Sequence, residues 1–162
     1  MEGSIKVEVE RFEHWKMHAI YFPTDFLDSQ DLKIRDRVVV HFENGRKLQC
    51  ALVSLEKGRI GIMLGKHFME KADLQLGQSI EVNVSKDSSE YGMEMPEELA
   101  EVLSIDEEGI LGFDALTPGR KRSVMYYVAK AKQEDTRIAR ALRVVENIKM
   151  GFTDPRDLVK KH

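Results

Sequence analysis

The chain has 162 residues, of which 42% are hydrophobic and 33% are charged, a composition typical of a globular protein with a buried core. Its formal net charge of −3 argues against nucleic acid as an obligate partner of the whole molecule. Because Cys50 is its one cysteine, the sequence excludes both an intrachain disulfide and a metal cluster built from cysteines.

The beginning of the chain bears on its location. Residues 1–8 mix charged and apolar side chains, whereas a signal peptide contains an unbroken apolar stretch. Elsewhere, no run approaches the roughly 20 apolar residues that a membrane-spanning helix needs. We therefore expect a cytoplasmic protein without membrane insertion.

The first half of the chain shows the alternation of apolar and polar residues that is typical of half-buried strands. The alternation is clearest at Ile5, Val7 and Val9, and Asn44-Gly45 has the residue types of a tight hairpin turn. A short helix is predicted at 66–73. The segments predicted as strands are 5–14, 16–22, 37–42, 47–55, 59–64 and a last strand after Gly77.

Six short strands with short connections favour a closed barrel, because closure removes the exposed edges that they would otherwise present. The same pattern could equally form a sandwich of two sheets.

The second half of the chain has the signals of helices. Residues 86–92 are small and polar and form the predicted linker. A first helix is predicted to open at Met95–Glu98, with acidic residues in its first turn, where the helix dipole favours them. Ser104–Glu107 fits a capping box and predicts the start of the next helix.

Thr117-Pro118 predicts the start of the main pair of helices, since threonine can cap a free N–H and proline lacks the N–H that would be left unpaired. Apolar residues then recur at helical spacing in two runs, which predicts two amphipathic helices joined by a hairpin near 132–135. Gly151 is predicted to end the second helix, and a short terminal helix is predicted after Asp154.

The predicted fold class is therefore α+β. It consists of an N-terminal six-stranded, mostly antiparallel small β-barrel in residues 1–87, followed by a C-terminal α-helical module in residues 93–162.

One stretch of the helical half is similar to a known family. Its elements, in order, are Phe113-x-x-Leu116-Thr117-Pro118, a basic cluster, Ala-Lys-Ala-Lys at 129–132 and Glu134-x-Thr136-Arg137-x-x-Arg140. This arrangement resembles the YdeI/OmpD-associated family, also labelled bacteriocin-protection, and the first half resembles the small β-barrel domain that often precedes that module. The resemblance implies a loose association with resistance to antimicrobial peptides and no defined chemistry.

A basic set on the helix pair is the main candidate for a functional surface. Its members are Arg120, Lys121, Arg122, Lys130, Lys132, Arg137, Arg140 and Arg143. They could bind an anionic partner, such as an acidic protein, phosphate groups or nucleic acid. Alternatively they form a solvated helix face, partly paired with the acidic segment 91–112, which is the usual role of charged helix faces. Arg137 and Arg140 are expected to bind the free carbonyls that end the first helix of the pair.

Other candidate sites have simpler explanations. His14 and His18 have the spacing of metal ligands on a helix, but four residues along a strand span about 13 Å, so neither a metal nor a cofactor is expected. The run from Gly61 to Lys66 has three residues between its glycines where a phosphate-binding loop needs four, and we reject it as such a loop. Cys50 lies among apolar residues and is expected to be buried and inert.

Three functional hypotheses follow. The favoured one is a non-enzymatic cytoplasmic protein with a protective or accessory role, as the resemblance implies. The second is a small-molecule-binding protein or an enzyme with its site in the barrel, which an unfilled cavity there would favour. The third is an anionic partner bound by the basic set. Nucleic acid is disfavoured in that role: Trp15, Tyr126 and Tyr127 could stack on bases, but they do not form the interleaved aromatic pattern that single-strand binders need. Tyr127 is expected to pack in the core instead.

Overall fold

The strands of the first half form two antiparallel sheets in the computed structural model, which describes residues 3–12 and 17–162. The strands are β1 (Ser4–Glu8), β2 (Glu10–Phe12), β3 (Met17–Tyr21), β4 (Arg37–Phe42), β5 (Lys47–Ala51), β6 (Val53–Ser54), β7 (Ile60–Leu64) and β8 (Ser79–Lys86). One sheet has the order β1-β8-β4-β5 and the other β2-β3-β7-β6. The chain divides into a β unit, which ends at Ser88, and a helical unit, which begins at Ser89.

The prediction of a six-stranded barrel is therefore wrong, because eight described strands form two open four-stranded sheets. The extra strands arise at Val9 and Leu52, where two predicted strands each split between the sheets. The Val9 N–H donates to the Gln78 carbonyl at 2.9 Å, and the Leu52 N–H donates to the Asp36 carbonyl at 2.9 Å. Since the main chain bonds to loops at these two points, the strand ladder is interrupted and each sheet keeps its own edges.

The two sheets share one apolar core, as the sandwich alternative requires. It takes side chains from both sheets and from the two splitting points. Fully buried members are Val9, Ile20, Val38, Val40, Leu52 and Ile62. Two short helices, α1 (Thr24–Ser29) and α2 (Lys66–Lys71), contribute Leu27 and Met69 to the same core.

The hairpin predicted at Asn44-Gly45 is confirmed between β4 and β5. Gly45 has a φ of +88°, which glycine adopts without strain. Asn44 fixes the turn from both sides: its Oδ1 accepts from the Arg46 N–H at 3.1 Å, and its Nδ2 donates to the Ala72 carbonyl at 2.7 Å. The turn is thus held by its own residues and by the segment after α2.

The helical unit contains α3 (Glu97–Ser104), α4 (Glu107–Asp114), α5 (Pro118–Ala129), α6 (Glu134–Lys149) and α7 (Pro155–Leu158). Their apolar faces meet in a second core. Its fully buried side chains are Leu99, Phe113, Val124, Met125, Val128, Ala141, Val144 and Leu158. In the part of the chain that the structure describes, no helix is long and apolar enough to cross a membrane.

Local capping chemistry places the ends of these helices. Thr117 caps α5 as predicted, its Oγ1 accepting from the Arg120 N–H at 3.4 Å, and Gly151, with a φ of +95°, follows the end of α6. A helix follows the predicted capping box, but α4 starts two residues later than that box implies, because Ser104 is not its cap. Asp106 caps α4 instead, accepting from the Gly109 N–H at 2.9 Å. Ser104 is the last residue of α3, and its hydroxyl donates to the carbonyl of Glu101 at 2.6 Å.

Candidate functional site

The basic set is divided between residues that hold the helical unit together and residues that face water. Five of its side chains are half-buried, namely Lys121, Arg122, Arg137, Arg140 and Arg143. Three are exposed, namely Arg120, Lys130 and Lys132. The set therefore does not form one open cationic face. Binding of an anionic partner through it stays a prediction.

Arg137, at the beginning of α6, binds the hairpin that joins α5 to α6. Its Nη1 donates to the carbonyls of Ala131 and Lys132 at 3.0 Å each, and its Nε donates to Glu98 Oε2 at 3.1 Å. These two carbonyls belong to the hairpin just beyond α5, and the guanidinium supplies donors to them. The prediction that arginines bind the carbonyls that end α5 is therefore confirmed for Arg140, which bonds to Tyr127 in the last turn, and not for Arg137.

Arg140 and Arg143, one and two turns further along α6, both contact Tyr127 of α5. Arg140 Nη1 donates to the Tyr127 carbonyl at 2.9 Å, and its guanidinium lies 4.6 Å from the centre of the Tyr127 ring. Arg143 Nη1 donates to Tyr127 Oη at 2.8 Å, and that hydroxyl donates to the Val159 carbonyl at 3.4 Å. Tyr127 is thus a packing residue, as predicted. Trp15, the other aromatic residue considered for stacking on bases, lies outside the described residues.

The basic residues of α5 make weaker contacts. Arg122 Nη1 donates to the Tyr91 carbonyl at 3.4 Å, and Lys121 Nζ lies 5.8 Å from the centre of the Tyr91 ring. Lys130 lies 5.7 Å from the centre of the exposed Tyr126 ring. Arg120 is exposed at the first turn of the helix.

Replacing Arg137 with glutamine should lower the free energy of unfolding of the helical unit by about 2 kcal/mol, because two carbonyls and one carboxylate lose a charged donor. The matched substitution Arg120→Gln removes the same charge from an exposed site and should change it by less than about 0.5 kcal/mol. Thermal and urea melts of the two variants would measure the difference. An unchanged midpoint for Arg137→Gln would contradict the structural role.

A cleft between α3 and α6 has no counterpart among the sites predicted from the sequence. Glu97, Glu98 and Glu101 line it from α3, and Glu134, Arg137 and Ile138 line it from α6, around a cavity of about 190 Å³. Four carboxylates thus surround one guanidinium. The one signal for this cleft in the sequence is the excess of acidic residues in 91–112. The same excess is explained equally well if those residues pair with the basic set within the protein.

We call the half-buried ion pair of this cleft its floor, and the three exposed glutamates its rim. Arg137 and Glu98 are both half-buried and bond to each other. Glu97, Glu101 and Glu134 are exposed. Ile138 is 39% exposed, and Leu142, one helical turn further on α6, is 53% exposed. We refer to the six residues that line the cavity as the acidic cleft, and to Ile138 and Leu142 as the apolar stripe.

Three carboxyl groups of the helical unit have lowered pKa values. The pKa of Glu98 is lowered by its own main-chain N–H and by Arg137, and that of Asp106 by the Gly109 N–H and by Lys149. Arg156 lowers the pKa of Asp154 to about 2, through its guanidinium and its main-chain N–H. A carboxyl group whose pKa is lowered on folding stabilises the folded state above its unfolded pKa, and this contribution is lost as the pH falls through the folded pKa.

The helical unit should therefore lose stability as the pH falls below about 4, the ordinary pKa of a carboxyl group. Asp106→Asn should be less stable than the unchanged chain at neutral pH, and the difference should shrink at acid pH. Glu94→Gln, an exposed control, should follow the unchanged chain throughout. Melts recorded across this pH range would test this, and a constant deficit for Asp106→Asn would contradict it.

The β unit has its own cavity, of about 680 Å³, beside β3, the end of β7, α2 and the segment after α2. Met17, Leu64 and Leu76 supply apolar walls, and His18 and Glu70 are among the polar groups. Between the sheets, by contrast, the described residues form a packed apolar core. The interior site expected for a barrel is therefore not present among them, and the cavity lies at the edge of the core.

The remaining candidates stand as follows. His14 lies outside the described residues, and among residues 3–12 and 17–162 no three histidine, cysteine or acidic side chains are grouped closely enough to hold a metal ion. Cys50 is half-buried, and burial raises the pKa of its thiol to about 12, so the thiol is protonated at neutral pH. Gly61 belongs to β7 and pairs with Tyr21, which confirms that Gly61 to Lys66 is not a phosphate loop.

The comparisons with known proteins concern the helical unit. Residues 92–151 match the family model described as "Bacteriocin-protection, YdeI or OmpD-Associated". The match runs from before α3 to Gly151, just beyond the end of α6, so it includes the arginine contacts and the acidic cleft, and it confirms the resemblance predicted from the sequence for this unit. It covers less than half of the chain and leaves the β unit outside. No curated protein matches the chain.

Proposed function

Because residues 92–151 match this family model, we propose that the chain has a protective or accessory role against bacteriocins and that it acts by binding rather than by catalysis. The match is the observation that carries the proposal. The cytoplasmic location predicted from the sequence is retained as part of it.

The shape of the helical unit supports a binding role. The α6 arginines Arg137, Arg140 and Arg143 are engaged in contacts with α5 and with Glu98. The acidic cleft and the apolar stripe, in contrast, keep three exposed carboxylates and two partly exposed aliphatic side chains available. A surface that combines apolar contact with charge is suited to recognition of another molecule.

The test compares bacterial cells that produce the full chain with cells that carry the empty vector. Both are challenged with a cationic bacteriocin, and the concentration that prevents growth is measured. The proposal predicts a higher inhibitory concentration for the cells that produce the chain. Equal values, with the protein present at a level verified by immunoblot, would contradict a protective role.

A second function is favoured by the cavity of the β unit. Its volume of about 680 Å³ lies within the range of small-molecule sites, about 300–1,000 Å³. Its walls combine apolar side chains with a few polar groups, as such sites do. A thermal-shift screen against small apolar ligands tests it. Leu76→Arg should abolish any ligand-induced rise in the melting temperature, because exposed Leu76 lines the cavity, whereas Ile34→Arg, at an exposed site elsewhere in the unit, should not.

A further inference from the structure

We propose that the apolar stripe of α6, together with the acidic cleft beside it, is a docking surface for a cationic amphipathic peptide. The peptide would place its apolar side chains on Ile138 and Leu142 and its lysine or arginine side chains against the exposed glutamates. This inference rests on the proposed function and deepens it, because it names the chemical class of the partner and the surface that receives it.

The apolar part of this surface consists of two neighbouring side chains. Ile138 and Leu142 are 39% and 53% exposed, and they are spaced so that they lie on the same face of α6. Ile138 also lines the acidic cleft, so these two side chains extend the wall of the cleft along α6 as an apolar surface. Ile105, 87% exposed, lies directly after α3, four residues beyond Glu101 of the cleft.

The charge of the rim identifies the partner. Glu97 and Glu101 are one turn apart on α3, and Glu134 lines the same cleft from α6, so three exposed carboxylates share the cleft with Ile138 of the stripe. An anionic partner would be repelled by them, and a purely apolar partner would leave them without counter-charges. A peptide with one apolar and one cationic face satisfies both features at once.

The dimensions of the surface fit a short helix. Leu142 is eight positions beyond Glu134, which corresponds to about 12 Å along α6, or about two turns of a bound helical peptide. The walls of this surface are held in place from both ends. The pair Arg137–Glu98 joins α6 to α3 at 3.1 Å, and the pair Lys149–Asp106 joins the other end of α6 to the cap of α4 at 3.0 Å. The docking surface is therefore largely formed before the partner arrives.

The basic set fits this partner less well. Lys130 and Lys132 carry positive charge at the hairpin between α5 and α6, and they would repel a cationic peptide. We therefore expect the peptide to approach from the side of α3. Its affinity should fall as salt is added, because the contacts at the rim are exposed and screened.

The experiment measures binding of a synthetic amphipathic peptide made of lysine and leucine to the full chain by isothermal titration calorimetry. A peptide of the same pattern with glutamate in place of lysine serves as the ligand control. The unchanged chain should bind the cationic peptide and not the anionic one. Replacing Glu97, Glu101 and Glu134 with glutamine should weaken binding about tenfold and flatten its salt dependence. Leu142→Ser alone should weaken it severalfold.

The matched control removes the same number of charges from elsewhere in the helical unit. Glu94, Glu107 and Glu108 are exposed and lie outside the cleft, and Leu111 of α4 is 71% exposed. Replacing those three glutamates with glutamine, or Leu111 with serine, should leave the affinity unchanged. All variants alter exposed residues, and thermal melts verify that they remain folded.

The inference is overturned if the unchanged chain does not bind the cationic peptide, or if the control variants weaken binding as much as the cleft variants do. These outcomes are separable from failure of the proposed function. Cells that are protected by a chain unable to bind the peptide would contradict the docking surface alone. Binding at the cleft without protection of cells would contradict the protective role alone.

Discussion

Replacing Gly61 with alanine should destabilise the β unit by about 3 kcal/mol, at the upper end of what overpacking costs. Gly61 is buried in β7 and pairs with Tyr21 of β3. A methyl group added there would collide with the main-chain carbonyl oxygen of Ile20 and would lie 3.0 Å from the Tyr21 Cα. Because these are backbone atoms of the adjacent strand, no side-chain rotation can relieve the contact, and the two strands must separate.

Gly65→Ala is the matched control for Gly61→Ala. Gly65 lies just after β7 and has an ordinary negative φ of −69°, and no atom of the described residues lies within 4 Å of the position that an added methyl group would take. Its replacement should cost less than about 1 kcal/mol, the loss expected at the beginning of a helix. Hydrogen exchange of β3 and β7, followed by mass spectrometry, would measure both effects locally. Equal protection of these strands in the two variants would contradict the close contact.

Replacing Asn147 with aspartate should destabilise the helical unit by about 3 kcal/mol. Asn147 is 3% exposed, and its Nδ2 donates to the carbonyls of Leu158 at 2.9 Å and Lys160 at 2.7 Å, with a longer contact to that of Asp157 at 3.3 Å. Aspartate has the same shape but cannot donate when ionised. A buried carboxylate would face three carbonyl oxygens, so α7 and the residues after it should detach from α6.

Gln133→Glu is the matched control for Asn147→Asp, because it makes the same change from amide to carboxylate at an exposed position. Gln133 precedes α6, where a negative charge is tolerated or favoured by the helix dipole. The control should change the free energy of unfolding by less than about 1 kcal/mol. Hydrogen exchange of α7 distinguishes the two variants. We expect the main-chain amides of α7 to lose protection in Asn147→Asp and to keep it in Gln133→Glu. Protection of α7 in both variants would contradict the anchoring role of Asn147.

The helix boundaries can be predicted because their signals are local. Thr117 and Pro118 determine the start of α5 through atoms within one turn, and Gly151 stops α6 through its own φ angle. The cap of α4 is the exception, since serine and aspartate are both good caps and both precede this helix. The choice of Asp106 over Ser104 depends on where α3 ends.

The division of the strands cannot be predicted in the same way. Val9 continues the alternation of Ile5 and Val7, and Leu52 continues an apolar run, so neither looks like a break in a strand. The breaks arise from main-chain bonds to Gln78 and to Asp36, which belong to other segments of the chain. Tertiary contacts thus decide between a barrel and two open sheets, and the strand pattern alone does not contain them.

The candidate site is predictable in part. Charge alone identifies the basic residues, and the position of Arg137 directly after the hairpin indicates its contact with main-chain carbonyls there. The acidic cleft is not predictable, since Glu97 and Glu134 are brought together only when α3 packs beside α6. That packing depends on the shared core of the helical unit rather than on any residue in the cleft.

We propose that the helical unit binds a cationic amphipathic peptide between α3 and α6. Two-dimensional NMR of the ¹⁵N-labelled chain, titrated with the cationic amphipathic peptide, tests it most directly. We expect the shifts to concentrate in α3 and in the part of α6 around Ile138 and Leu142. Shifts concentrated at Arg120 to Lys132, or in the β unit, would contradict it.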